Sequence, residues 1–125
     1  MKVIIDTNGL MIPVQFNVDI FEELKRLGYD TYLVPTAVIN ELDILIKNLK
    51  GGDRTAAKVA RAMADRCEII QADGHADDVI LDLAISHAAS VLTNDIGLRK
   101  RLKKRDVPAI CLRQKNRLEK ITDEV

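Results

Sequence analysis

A chain of 125 residues, 47% apolar and 30% charged, is long enough for one hydrophobic core, too short for two, and too apolar to stay disordered. No apolar run approaches the roughly 20 residues that span a bilayer, which excludes a membrane partner, and Val3 to Ile5 before Asp6 is too short a run for a signal peptide. The net charge of zero hides a split: residues 99–120 hold ten Lys or Arg against Asp106 and Glu119, a net +8, and the remainder carries −8. A basic end on an acidic body is a stripe suited to polyanions, or a solvated Lys-rich helix face.

Taken in chain order, Val3-Ile4-Ile5 predicts a short buried parallel strand ending at Asp6, followed by a loop at Asn8-Gly9. A helix is expected over 19–27, with Gly28 as its stop, and a strand over 31–34. Thr36 reads as the N-cap of a helix to about Leu49, and Gly51-Gly52 as a flexible turn before an Ala-rich helix over 54–66. Residues 67–72 read as a third strand, 77–88 as a helix and 90–93 as a fourth strand. Residues 96–104 follow as a basic helix and 107–112 as a fifth strand, with a polar basic tail from about 113. Strands alternating with helices predict an α/β fold: a three-layer α/β/α sandwich on a mostly parallel sheet of about five strands, one domain over 1–125. Cys67 and Cys111 lie far apart with no histidine beside them, and both are expected as buried strand residues. That pattern matches neither a zinc site nor a disulfide framework and suits a reducing, cytoplasmic compartment. Four aromatics without Trp leave few platforms for stacking bases.

Two strands end alike, Ile5-Asp6-Thr7-Asn8 and Leu92-Thr93-Asn94-Asp95, running apolar residues into an acidic tip. Ligands of parallel sheets sit at the carboxyl ends of strands where the winding reverses, so Asp6 and Asp95 converge if their strands are neighbours there. Either acid would also serve as a helix cap. On the helix over 77–88, stepping 100° per residue puts Asp77 on the inward face with Ala84 and Ala88, while Asp78 and Asp82 point outward. Glu41 lies at the margin of its helix's apolar stripe, Asp43 at the opposite margin. Asp6, Glu41, Asp77 and Asp95 are thus four acids able to meet in one pocket, where they cannot all ionise without a cation. With no His or thiolate in the set, that cation would be Mg2+ or Mn2+. Such an ion lowers the pKa of bound water and offsets charge on a phosphoryl group, and a phosphodiester backbone suits an acidic metal site beside a basic stripe.

These residues resemble the PIN-domain nucleases. The resemblance rests on Ile5-Asp6-Thr7-Asn8, Val38-Ile39-Asn40-Glu41-Leu42, Ala76-Asp77-Asp78-Val79-Ile80, and Val91-Leu92-Thr93-Asn94-Asp95 followed by Leu98. It implies a compact α/β/α fold that cleaves single-stranded RNA, with Asp6, Glu41, Asp77 and Asp95 as catalytic and metal-binding acids. Asn8 with Thr93 or Asn94 would be their polar support. Asp78 and Asp82 remain alternatives to Asp77 as ligand. The phrase Thr93-Asn94-Asp95 and the basic run to Val107-Pro108 look closest to the ribosomal-RNA-processing PIN endonucleases and their archaeal relatives, and VapC toxins share the acids. The resemblance implies RNA, single-stranded or ribosomal, as partner, held by Arg99, Lys100, Arg101, Lys103, Lys104 and Arg105. It allows a homodimer and an antitoxin or ribosome-assembly partner as well. A catalytically silent binding module is the competing reading, and a phosphoacceptor domain fits poorly because Ile5, not an acid, precedes Asp6. His75 reads as a surface residue and His87 as partly buried.

Overall fold

A computed structural model describes residues 1–121. In chain order the elements are β1 (Lys2–Ile5), α1 (Thr7–Phe16), α2 (Ile20–Arg26), β2 (Thr31–Pro35), α3 (Thr36–Asn48) and α4 (Gly51–Ala64). They continue with β3 (Glu68–Ile70), α5 (Ala76–His87), β4 (Ser90–Leu92), α6 (Ile96–Lys104), β5 (Ala109–Arg113) and β6 (Arg117–Ile121). The strands form one sheet in the order β3-β2-β1-β4-β5-β6, parallel throughout except for the antiparallel β5–β6 pair. The chain winds from β1 outward to β3, returns to β4 beside β1, and then winds the other way. Right-handed crossovers therefore put α1 to α4 on one face and α5 and α6 on the other. Strands β1 and β4, covered on both faces, read as continuous apolar runs; Val3, Ile4, Ile5, Val91 and Leu92 are wholly buried. No helix among the described residues is long and apolar enough to cross a membrane.

The predicted three-layer α/β fold is present, with a sixth strand where a polar tail was expected. Arg117-Leu118-Glu119-Lys120-Ile121 pairs antiparallel with β5 at the sheet edge and buries only Leu118 fully. The turn into it places Gln114 and Lys115 at φ 54° and 60°. Residues 122–125 of the expected tail lie outside the described residues.

Three local expectations are also corrected. Asn8-Gly9 is not a loop but lies in the first turn of α1, for which Asp6 is the N-cap. Thr36 is the first residue of α3 rather than its cap. Its hydroxyl donates to Asp73 (2.6 Å) and accepts from the Ala72 N–H (2.9 Å), pinning the chain after β3. Gly51-Gly52 opens α4, so the break between α3 and α4 falls at Leu49-Lys50. Helix α4 buries Ala56, Ala57, Ala60 and Ala64, small side chains that let it lie close to α1 and α3.

Gly9 is required by close approach. A Cβ there would stand 2.9 Å from the Leu92 carbonyl oxygen and 3.1 Å from the Ile5 and Leu92 side chains. Since the oxygen is backbone, Gly9→Ala must push α1 away from β4. A loss of about 1–3 kcal/mol is expected, read as a lower denaturation midpoint with an unchanged denaturant slope.

Candidate functional site

The reversal of winding places the carboxyl ends of β1 and β4 side by side, with Ile5 in register with Leu92. Asp6 directly follows β1, and its Oδ1 accepts the Gly9 N–H at 2.7 Å as N-cap of α1. Asp95, three residues past β4, caps α6 in the same way, accepting the Gly97 N–H at 3.2 Å. Capping and a place in the site therefore coexist, since each carboxylate both serves a helix start and lines the cavity. Glu41 comes from α3 and Asp77 from the first turn of α5.

All four acids line one cavity of about 260 Å³, together with Thr7, Asn8, Met11, Leu45, Ala76 and Ile80. Asp6 is buried, Asp77 half-buried, and Glu41 and Asp95 exposed at the rim. The angular reading of α5 holds. Asp77 enters the cavity, whereas Asp82 is exposed and outside it, and Asp78 turns away to hold Arg101 of α6 at 2.7 Å. His75 is exposed, 3.8 Å from Asp78, and His87 is half-buried. Asp43, at the other margin of α3, pairs with Arg61 of α4 at 3.4 Å.

Thr93 and Asn94 stand behind the cavity rather than in it. The wholly buried Thr93 hydroxyl hydrogen-bonds the Asp6 carboxylate and accepts the Asp95 N–H at 3.0 Å, so one side chain locks both strand-end acids. Asn8 Oδ1 accepts the Asn94 N–H (3.0 Å), and Asn94 Oδ1 accepts the Leu112 N–H (2.8 Å), carrying the link on to β5. Thr7 was given no role by the sequence pattern. It lines the cavity, and its Oγ1 is buried with no hydrogen-bond partner, a group that costs free energy unless water or a ligand meets it.

The electrostatics follow from this placement. Burial, the largest cause, pushes the Asp6 carboxyl up to about 7; hydrogen bonds from Thr93 and Gly9 oppose the rise, and the charges of Asp77 and Asp95 add to it. The Asp77 carboxyl is also raised, first by burial and then by Asp95, with His75 and Arg101 pulling against the shift. Like charges crowding one cavity produce this pattern, and a cation relieves it.

The donor set fits a hard divalent ion. Its charged groups are all carboxylates, and the orphaned Thr7 hydroxyl adds one more oxygen. Among the described residues, however, no three His, Cys, Asp or Glu side chains are gathered closely enough to hold a metal ion directly. Such an arrangement suits an ion that keeps much of its water and takes only one or two carboxylates, as Mg2+ does.

Fold and cavity together define an α/β domain with an acidic, cation-seeking site at the switch point of a parallel sheet. The chain belongs to the family described as PIN like domain, which matches residues 3–115. Ribonuclease VapC9 of Archaeoglobus fulgidus is 26% identical over 115 residues, spanning 92% of this chain and 85% of that one. Ribonuclease VapC4 of Methanocaldococcus jannaschii is 27% identical over 124 residues, spanning 94% and 95%. Among solved structures, the PIN domain endonuclease Utp24 is similar with a TM-score of 0.77 and 28% identity, covering 99% of this chain and 95% of that one. VapBC2 from Rickettsia felis, bound to a promoter DNA fragment, shares the fold with a TM-score of 0.61 at 20% identity, over 80% of this chain and 92% of that one.

Proposed function

We propose that the protein is a divalent-metal-dependent endoribonuclease that hydrolyses phosphodiester bonds in single-stranded RNA. The observation that carries this reading is the convergence of Asp6, Glu41, Asp77 and Asp95, from four separate segments, on one cavity. Ribonuclease relatives spanning most of the chain support it. A bound Mg2+ or Mn2+ would supply water of lowered pKa and neutralise charge on the phosphoryl oxygens. Asp6, Glu41, Asp77 and Asp95 would hold that ion between them, in part through its own water shell. Thr93 fixes the angle between the two strand-end acids, and Asn8 ties α1 to the chain after β4.

Processing of ribosomal RNA, in a reducing cytoplasm, is the role suggested by the Thr93-Asn94-Asp95 phrase and the basic run after it, while the likeness to the PIN domain endonuclease Utp24 across nearly the whole chain supports the endonuclease reading. The VapC relatives favour a second reading, a toxin ribonuclease held by an antitoxin. Purified protein with Mn2+ is expected to cut single-stranded RNA faster than duplex RNA, and EDTA is expected to stop the reaction. Cleavage of ribosomal RNA at one position supports processing; growth arrest on expression supports the toxin. Cleavage that continues in EDTA overturns the metal-dependent reading, and no cleavage with either ion leaves a binding module.

A further inference from the structure

A second cavity, about 560 Å³, is larger than the acidic one. It is a groove along α6 where that helix passes β5 and β6, with four cations, Arg99, Lys100, Lys103 and Lys120, one acid, Asp106, and an apolar floor that begins at Ile96. Ile96, Arg99, Lys100 and Lys103 recur at helical spacing and so share one face of α6. The basic run that looked uniform in sequence is therefore divided. Arg101 leaves the groove to pair with Asp78, and Lys104 and Arg105 do not line it. Among the described residues, the side chains of Arg99, Lys100 and Lys120 make no hydrogen bond or ion pair with a protein group. Cations crowded into one groove of a chain with zero net charge call for an anionic occupant.

Two features identify that occupant. The groove has no aromatic wall, so it offers charge without base stacking and suits a phosphate backbone read without regard to sequence. It also opens at Ile96, one residue from Asp95 in the acidic cavity, and Ile96 is 63% exposed there. From Ile96 to Lys103 the helix rises about 10 Å at 1.5 Å per residue, room for about three stacked nucleotides at ~3.4 Å each.

We infer that this groove is an exosite gripping the backbone of the substrate strand a few nucleotides from the bond at the acidic cavity, so that Arg99, Lys100 and Lys120 set affinity for long strands. The inference rests on the ribonuclease reading for its substrate, and binding tests it separately from cleavage. The probe is labelled oligouridylate of about twenty nucleotides, titrated by fluorescence anisotropy in EDTA over a range of salt. Arg99→Gln/Lys100→Gln/Lys120→Gln is expected to weaken binding at least tenfold at low salt and to cut the log–log salt slope by about 2, at ~0.7 per lost phosphate contact. Replacing three exposed lysines elsewhere, Lys47, Lys50 and Lys58, with Gln should leave the slope unchanged. With Mn2+, the groove variant should show a raised KM for the long strand, an unaltered kcat, and wild-type rates on a trinucleotide. Equal slopes for both triple variants overturn the inference. So does a groove that binds polyglutamate in a way RNA does not displace, which marks a protein partner instead. Because the anisotropy is read without metal, a protein that binds as expected but never cuts refutes the nuclease reading and leaves the groove as a site that binds an RNA backbone.

Discussion

Asp6→Asn is expected to make the metal-free protein more stable at neutral pH while abolishing RNA cleavage. The folded state holds the Asp6 proton up to about pH 7, whereas the unfolded chain releases it near the ordinary 3.8. Between those values the native state binds more protons than the unfolded state, so stability falls as pH rises and then levels off above about 7. At about 1.4 kcal/mol per pH unit the full penalty is on the order of 4 kcal/mol. Asparagine cannot ionise, yet its side-chain oxygen can still accept the Gly9 N–H, so the cap of α1 survives. The variant should match wild type within about 1 kcal/mol near pH 4 and exceed it by about 2–4 kcal/mol at pH 8, a gain of roughly 10 °C in melting temperature for a domain of this size. Millimolar Mn2+ should narrow the gap by stabilising wild type alone, by about 3 kcal/mol at a hundredfold excess over Kd. A variant that melts below wild type at pH 8 would show that the Asp6 charge is satisfied without a cation.

The two halves of that outcome share one cause. A carboxylate pressed into a cavity with like charges is a poor structural choice, as the gain on neutralising it would measure. The fold bears the cost because β1 and β4 must meet at the switch point, and Thr93 and Gly9 recover part of it through hydrogen bonds to the same carboxylate. The site is preorganised for a positive ligand in this sense: the ion would remove repulsion already present rather than impose a rearrangement.

How far the sequence makes this visible depends on the range of the interaction involved. Asp6 and Asp95 were legible because an apolar run ending in an acid is a local pattern, and Asp77 because helical angle is local too. Helix α1 was hidden by Asn8-Gly9, which read as a loop; Gly9 is there for its fit against Leu92, a contact 83 positions away in sequence. Strand β6 was hidden because Gln114 and Lys115 adopt the left-handed turn without the Gly or Asn that usually announces it. The bridge from Thr93 to both acids, and the division of the basic run by Arg101, depend on which elements pack together, and no spacing rule carries that information.

The adjacent acids Asp77 and Asp78 give the sharpest test of the site's geometry. They differ in chemistry not at all and in position by one helical step, which puts Asp77 in the cavity and Asp78 against Arg101. Asp77→Asn is expected to lower kcat with Mn2+ by roughly 10²–10³-fold, since several kcal/mol of charge stabilisation pass through the metal site. Asp78→Asn breaks only an exposed ion pair, worth at most about 1 kcal/mol, and should change kcat by less than about threefold. Asp82→Asn, on the outer face of α5, should be silent. Melting temperatures separate the variants again: removing the Asp77 charge relieves repulsion from Asp95 and Glu41 and should raise stability without metal wherever that carboxyl is ionised, whereas removing Asp78 frees Arg101 and should lower it slightly. If the ranking of the two variants is reversed in activity, the first turn of α5 must rotate in solution to bring Asp78 into the cavity, and the assignment of Asp77 falls.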